Sequence, residues 1–245
     1  MKRYLKPAFL PMAVLGAGVL ACLFRLWLFA LGKDDRGLLS VGNFPDAISW
    51  IITGVTIVFL FLVTRPLQGG NKYAHNFPAS MPAALGMALA AVSFAITSFV
   101  DLSVGADALG TFSTILGFLS TTCLLLLAFF RMHGKHSNVL FHGIVCLYLM
   151  FHLVSHYRLW SSAPQLQTYG FELLAIVFIM LSCYQRTAFD VDKGNRRAYT
   201  FFSFAALFFC IASLPGCDNA AFFIGSAAWM YFTPCRLTPL AKKEN

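Results

Sequence analysis

The sequence predicts an all-α, polytopic transmembrane bundle, and three observations carry that reading. Hydrophobic residues make up 58% of the 245 positions and charged residues only 11%, where a soluble domain carries about 25%. Phenylalanine alone fills 26 positions, more apolar surface than a soluble globule can hide behind a polar shell. The apolar residues also fall into runs that approach the roughly 20 residues needed to cross about 30 Å of hydrocarbon. The same composition excludes a disordered chain.

Eight such runs are present, at residues 8–31, 48–63, 81–100, 109–130, 138–160, 169–184, 199–214 and 220–232. The second, sixth, seventh and eighth are short. They must borrow residues from their flanks or sit where the bilayer thins. Pro45, Pro66, Pro78, Pro164, Pro215 and Pro234 lie near the ends of runs, where a missing N–H costs little.

The net charge of +8 sorts onto this pattern. Fourteen of the eighteen basic residues fall in the two tails and the even-numbered loops, among them Lys2, Arg3, Arg65, Arg131, Arg186, Lys193, Arg196, Arg197, Lys242 and Lys243. Lys33 and Arg36 alone fall on the other side, and Arg25 and Arg158 fall within spans. The positive-inside rule then places both termini in the cytoplasm, in a multi-pass protein of the plasma membrane. Topology accounts for the basic excess, so nucleic acid is not an expected partner; the lipid bilayer is.

The start, Met1-Lys2-Arg3 before an apolar run, resembles a signal peptide. The run continues to Leu31, beyond the 7–15 residues of a signal core, and reads as a retained helix. The seven cysteines form no CxxC pair. Most fall in spans, where cysteine is a small buried hydrophobe; a Cys210–Cys217 bridge is conceivable.

The chain reads as a single membrane domain, 1–245, with an internal echo that suggests halves 1–135 and 136–245. Arg25-Leu26-Trp27 ends span one and Arg158-Leu159-Trp160 ends span five; Ser93-Phe94-Ala95 and Ser203-Phe204-Ala205 recur in spans three and seven. A 4+4 arrangement of this kind would be a parallel repeat, as in some transporters. Arginine and tryptophan at span ends also have an independent explanation as interfacial anchors.

Ionisable groups in hydrocarbon are costly and usually face a bundle interior or cavity. Arg25, Asp101, His152, His156, Arg158 and Glu172 all fall in the outer half of their spans. Span five is the most unusual, with His142, Cys146, Leu149, His152 and His156 within about 120° of one helical face. His152 and His156, at i and i+4, are the candidate metal ligands, with Glu172 or Asp101 completing the shell. The alternatives are a proton relay with Glu172 and neutral histidines hydrogen-bonded between helices. A bis-histidine haem is excluded for want of a partner helix with its own histidines, and no cofactor is implied.

No Walker loop, GxGxxG, GxSxG or HExxH is present. The compact, loop-poor plan looks like that of many bacterial membrane proteins, a likeness that transfers no residues. These features lean away from an enzyme. They favour a small transporter or permease-like component whose outward polar cavity is lined by the six ionisable residues above and takes a small molecule. Two alternatives stand beside it. One is a membrane-embedded metal-dependent hydrolase built on His152 and His156. The other is a scaffold whose segment 185–198 contacts a protein partner.

Overall fold

A computed structural model describes residues 9–32, 44–67, 71–104, 108–161 and 169–233. Lys2, Arg3, Lys33, Arg36, Asp34, Asp35, Asp107, Pro164, Pro234, Cys235, Lys242 and Lys243 lie outside them. The described chain is helical, and no strand occurs among these residues.

Among the described residues nine helices follow in order: α1 (Phe9–Leu31), α2 (Phe44–Thr64), α3 (Tyr73–Asn76), α4 (Met81–Val104), α5 (Ala108–Met132), α6 (Val139–Trp160), α7 (Gly170–Asp190), α8 (Arg196–Ala212) and α9 (Ala220–Phe232). Each of the eight apolar runs is one of these helices; α3 is a single turn that hydropathy did not signal. Six helices, α1, α2 and α4 to α7, are long and apolar enough to cross a membrane, and α9 is a shorter apolar helix.

Local chemistry sets the helix starts. Asn138 opens α6 by accepting the Leu140 N–H at 3.1 Å. Asn195 opens α8 by accepting from Arg197 and Ala198, and Asn219 opens α9 by accepting from Phe222. Each satisfies N–H groups that have no partner inside the helix. After α7 the chain turns through Asp192 at φ 54°, a conformation that aspartate tolerates better than most residues. The Asp192 carboxylate accepts the Tyr73 N–H at 2.8 Å and ties α3 to this turn.

Helices α4, α5, α6, α7, α8 and α9 form a closed ring in chain order, with α9 packing back on α4. The ring interior is aromatic: Phe94 of α4 lies 5.1 Å from both Tyr148 of α6 and Phe222 of α9, centroid to centroid. Helix α1 packs outside on α8, and α2 packs on α1 and α8. A 4+4 repeat would equate α1 and α2 with α6 and α7, yet one pair lies outside the ring and the other within it. The packing of the described residues does not confirm the repeat.

The outer surface carries large apolar side chains along successive turns, such as Leu20, Leu23 and Trp27 on α1 and Leu85, Leu89, Val92 and Ile96 on α4. A belt this extensive fits a lipid bilayer, not water. The apolar helices and this belt identify an integral, multi-pass membrane protein.

Four basic residues assigned to loops from sequence lie within helices, Arg197 in the first turn of α8 among them, and three of the four are buried. Arg131, Arg186 and Arg196 belong to α5, α7 and α8 and are buried. The segment 185–198 likewise divides between the end of α7 and the first turn of α8. Only 191–195 is a connecting turn, which shrinks the surface offered to a protein partner.

Candidate functional site

Helices α4 and α6 both pack on α5, and the end of α4 meets the last turns of α6. Asp101 lies in the last turn of α4. His152 and His156 occupy successive turns of α6, which puts both rings on one face; their centroids are 4.2 Å apart. One ligand atom from each of Asp101, His152 and His156 lies within 4.8 Å of the other two. Two imidazoles and one carboxylate at this separation match a divalent-metal donor set that leaves coordination positions open.

Aromatic rings wall this group. Tyr148 lies one turn before His152 with its ring at 5.5 Å, and Phe222 of α9 is 4.8 Å from the His152 ring. Trp160 lies 5.4 Å from His156 and stacks on Tyr169. His152 is 3% exposed, whereas Asp101 and His156 are half-buried. The group is thus closed toward the ring interior and opens at the end of the bundle. The Nδ1 atom of His152 has no hydrogen-bond partner among the described residues. A buried polar atom of this kind is expensive unless something binds it.

A second charged pair lies at the same end. Arg25 of α1 and Glu172 of α7 are both buried and interact electrostatically. The Arg25 guanidinium carbon lies 4.3 Å from the Phe171 ring centre and 5.6 Å from that of Phe29. Asp218, in the α8–α9 turn, is within electrostatic reach of both His156 and Glu172.

The structure therefore divides the six candidates. Asp101 joins His152 and His156, while Glu172, the other offered third ligand, lies with Arg25. Arg158 is exposed on α6. Sequence reasoning did not single out Tyr148, although it lies four residues before His152 and shares its face by helical spacing alone.

The opposite end holds a different constellation. His142, on the same helix as His152, pairs with Asp190 of α7: Nδ1 to Oδ2 is 2.7 Å. The other Asp190 oxygen accepts from the Ser137 hydroxyl at 3.0 Å. The histidine stripe is thus split between two ends with different partners. Beside this pair, Arg186 donates to the Tyr73 hydroxyl at 3.1 Å and lies 3.4 Å over the Phe77 ring. Arg131 hydrogen-bonds the same tyrosine and lies 5.2 Å from the same phenylalanine ring. Tyr73, Phe77, Phe189 and Tyr199 form a small buried cluster here, separate from the main core.

Cys210 and Cys217 are both free thiols. Comparison with protein-family models, with curated proteins and with solved structures finds no match to this chain, so its reading rests on its own residues.

Proposed function

We propose that this chain is a membrane-embedded metalloprotein of the metal-dependent hydrolase class, with Asp101, His152 and His156 as its ligands. The observation that supports it is the convergence of three donor atoms from two helices within 4.8 Å. A divalent metal bound there would supply a Lewis acid and an activated water. The residues supply the rest. The helical spacing of His152 and His156 fixes both rings, Phe222 and Tyr148 exclude water from below, and the half-buried Asp101 faces the open end. A substrate would enter from that end.

This reading includes eight membrane crossings, with both termini cytoplasmic and the metal group near the outer face of the plasma membrane. The charge sorting supports the orientation. Helix α8, at 17 residues, spans about 26 Å, but it is enclosed by α1, α2, α7 and α9 and presents little surface to lipid. Helix α9 at 13 residues spans about 20 Å and needs a thinned bilayer or its flanking turns.

Metal analysis of purified protein tests the proposal. About one zinc, iron or manganese ion per chain is expected. It should be lost in His152→Ala, His156→Ala and Asp101→Ala and kept in Glu172→Gln. Metal-free wild-type protein that also fails to take up added metal would refute it.

The transporter reading draws on the buried Arg25–Glu172 pair and on Asp218 between the two groups. It requires pH-dependent binding of a small molecule that Glu172→Gln abolishes and Asp101→Ala leaves in place. The reverse pattern favours the metal site.

A further inference from the structure

Among the described residues, the end of the bundle opposite Asp101, His152 and His156 carries more basic side chains, Arg131, Arg186, Lys193, Arg196 and Arg197, than acids, Asp190 and Asp192. Arg131 is 4% exposed and Arg186 3%. Both contact Phe77 and hydrogen-bond Tyr73. The Nε and Nη1 atoms of each have no hydrogen-bond partner among the described residues. Two acids lie nearby, Asp190, which is within electrostatic reach of Arg186, and Asp192, and both also hold other partners. Asp190 holds His142 and Ser137, and Asp192 holds the Tyr73 N–H.

A cavity of about 420 Å³ lies beside this cluster, lined by Asn71, Lys193, Asn195, Arg196 and Arg197 over Leu67, with no acid in its wall among the described residues. The two features adjoin. Asn71 is two residues before Tyr73, and Lys193 follows the Asp192 that grips the Tyr73 backbone. Arg197 lies 4.8 Å over Phe61, a ring on the lipid-exposed side of α2. The cavity rim therefore meets the apolar belt.

Like charges in a low-dielectric wall reinforce one another and focus potential into the adjoining cleft. Lysine and arginine with side-chain amides form a donor set suited to tetrahedral oxyanions. The first turn of α8 adds a favourable dipole. Two of its N–H groups are already taken by Asn195, so the charged side chains carry the recognition.

We infer that this cavity binds a phosphate group, with Lys193 and Arg197 as direct contacts and the buried Arg131 and Arg186 behind them raising the potential. The phosphate could belong to an anionic phospholipid headgroup at the rim or to a soluble phosphate ester. The site shares no residue with Asp101, His152 and His156, so each reading stands or falls alone.

The test uses the full chain in phosphatidylcholine nanodiscs. Native mass spectrometry counts retained phosphatidylglycerol, and calorimetry follows glycerol 3-phosphate. One molecule of one probe per chain is expected. Retention of the lipid alone assigns the headgroup as the source, and binding of glycerol phosphate alone assigns a soluble ester. Affinity should fall at least about fivefold in Lys193→Gln/Arg197→Gln. It should fall as far in Asn71→Trp, which fills the cavity without changing charge. Lys72→Gln/Lys135→Gln removes the same charge outside the cavity and should bind as wild type. Binding of neither probe, or equal loss in the Lys72/Lys135 control, would overturn the inference. Melting temperatures of the variants separate lost binding from lost folding.

Discussion

The Nδ1 atom of His142 lies 2.7 Å from Oδ2 of Asp190, and neither side chain reaches solvent. The contact joins α6 to α7, and Ser137 extends it to the turn before α6. Replacing Asp190 with alanine strands both polar partners in the interior. A loss of about 2–4 kcal/mol is expected, read as a lower melting temperature in detergent. A double-mutant cycle with His142→Ala should show coupling of about 1 kcal/mol or more. Simple additivity would mean that the contact contributes nothing.

Gly225 of α9 faces α4 so closely that a Cβ would overlap the Ser93 side chain and press on the Leu89 carbonyl. That closeness lets α4 and α9 close the ring. Gly225→Val should cost about 1–3 kcal/mol or more through overpacking. Gly16→Ala and Gly54→Ala, where a Cβ meets nothing, should be neutral or slightly stabilising. Equal melting temperatures for all three variants would contradict the packing described.

Arg25 and Glu172 offset one another in a buried setting, with Phe171 against the guanidinium. Arg25→Ala leaves a buried carboxylate without its counter-charge and should cost about 3–5 kcal/mol. Arg25→Met combined with Glu172→Gln removes both charges and should recover most of that loss. Thermal unfolding of the two variants side by side checks it. A double variant no better than Arg25→Ala would show that Glu172 is not the partner that matters.

Cys217 lies in the α8–α9 turn and donates to the Leu214 carbonyl at 3.1 Å. Burial, reinforced by the nearby Glu172 carboxylate, pushes its thiol up to about 11. Near neutral pH it should hold about a hundredfold less thiolate than a free thiol. Maleimide labelling should therefore be slow at pH 7.5 and accelerate steadily as pH is raised toward 11. With an impermeant reagent on intact cells, the same label should arrive from outside. Rapid labelling at neutral pH would contradict this environment.

The helices were largely legible in the sequence because hydropathy and span length act along a single stretch of chain. All eight apolar runs became helices, and α9 begins and ends where its run does. The ends of others moved by several residues. Helix α7 continues to Asp190 because Arg186 and Asp190, polar enough to suggest a loop, find partners across the bundle. The candidate site was legible in part. The i, i+4 spacing put His152 and His156 together without any tertiary knowledge. The choice between Asp101 and Glu172 was not legible, since each is separated from the histidines by a different helix contact.

Composition and periodicity were enough to establish a membrane-spanning helical chain, its runs and the shared face of the two histidines. These properties depend on near neighbours and on the thickness of hydrocarbon. Helix packing decided which side chains meet across the bundle. It put Asp101 rather than Glu172 with His152 and His156, gave His142 to Asp190, and buried Arg131 and Arg186 together over Phe77. It also put α1 and α2 outside the ring. Contacts of this kind depend on how helices rotate and cross, which is set by the close approach of small residues such as Gly225 against Ser93. That fit involves residues far apart in the chain, and no local pattern encodes it.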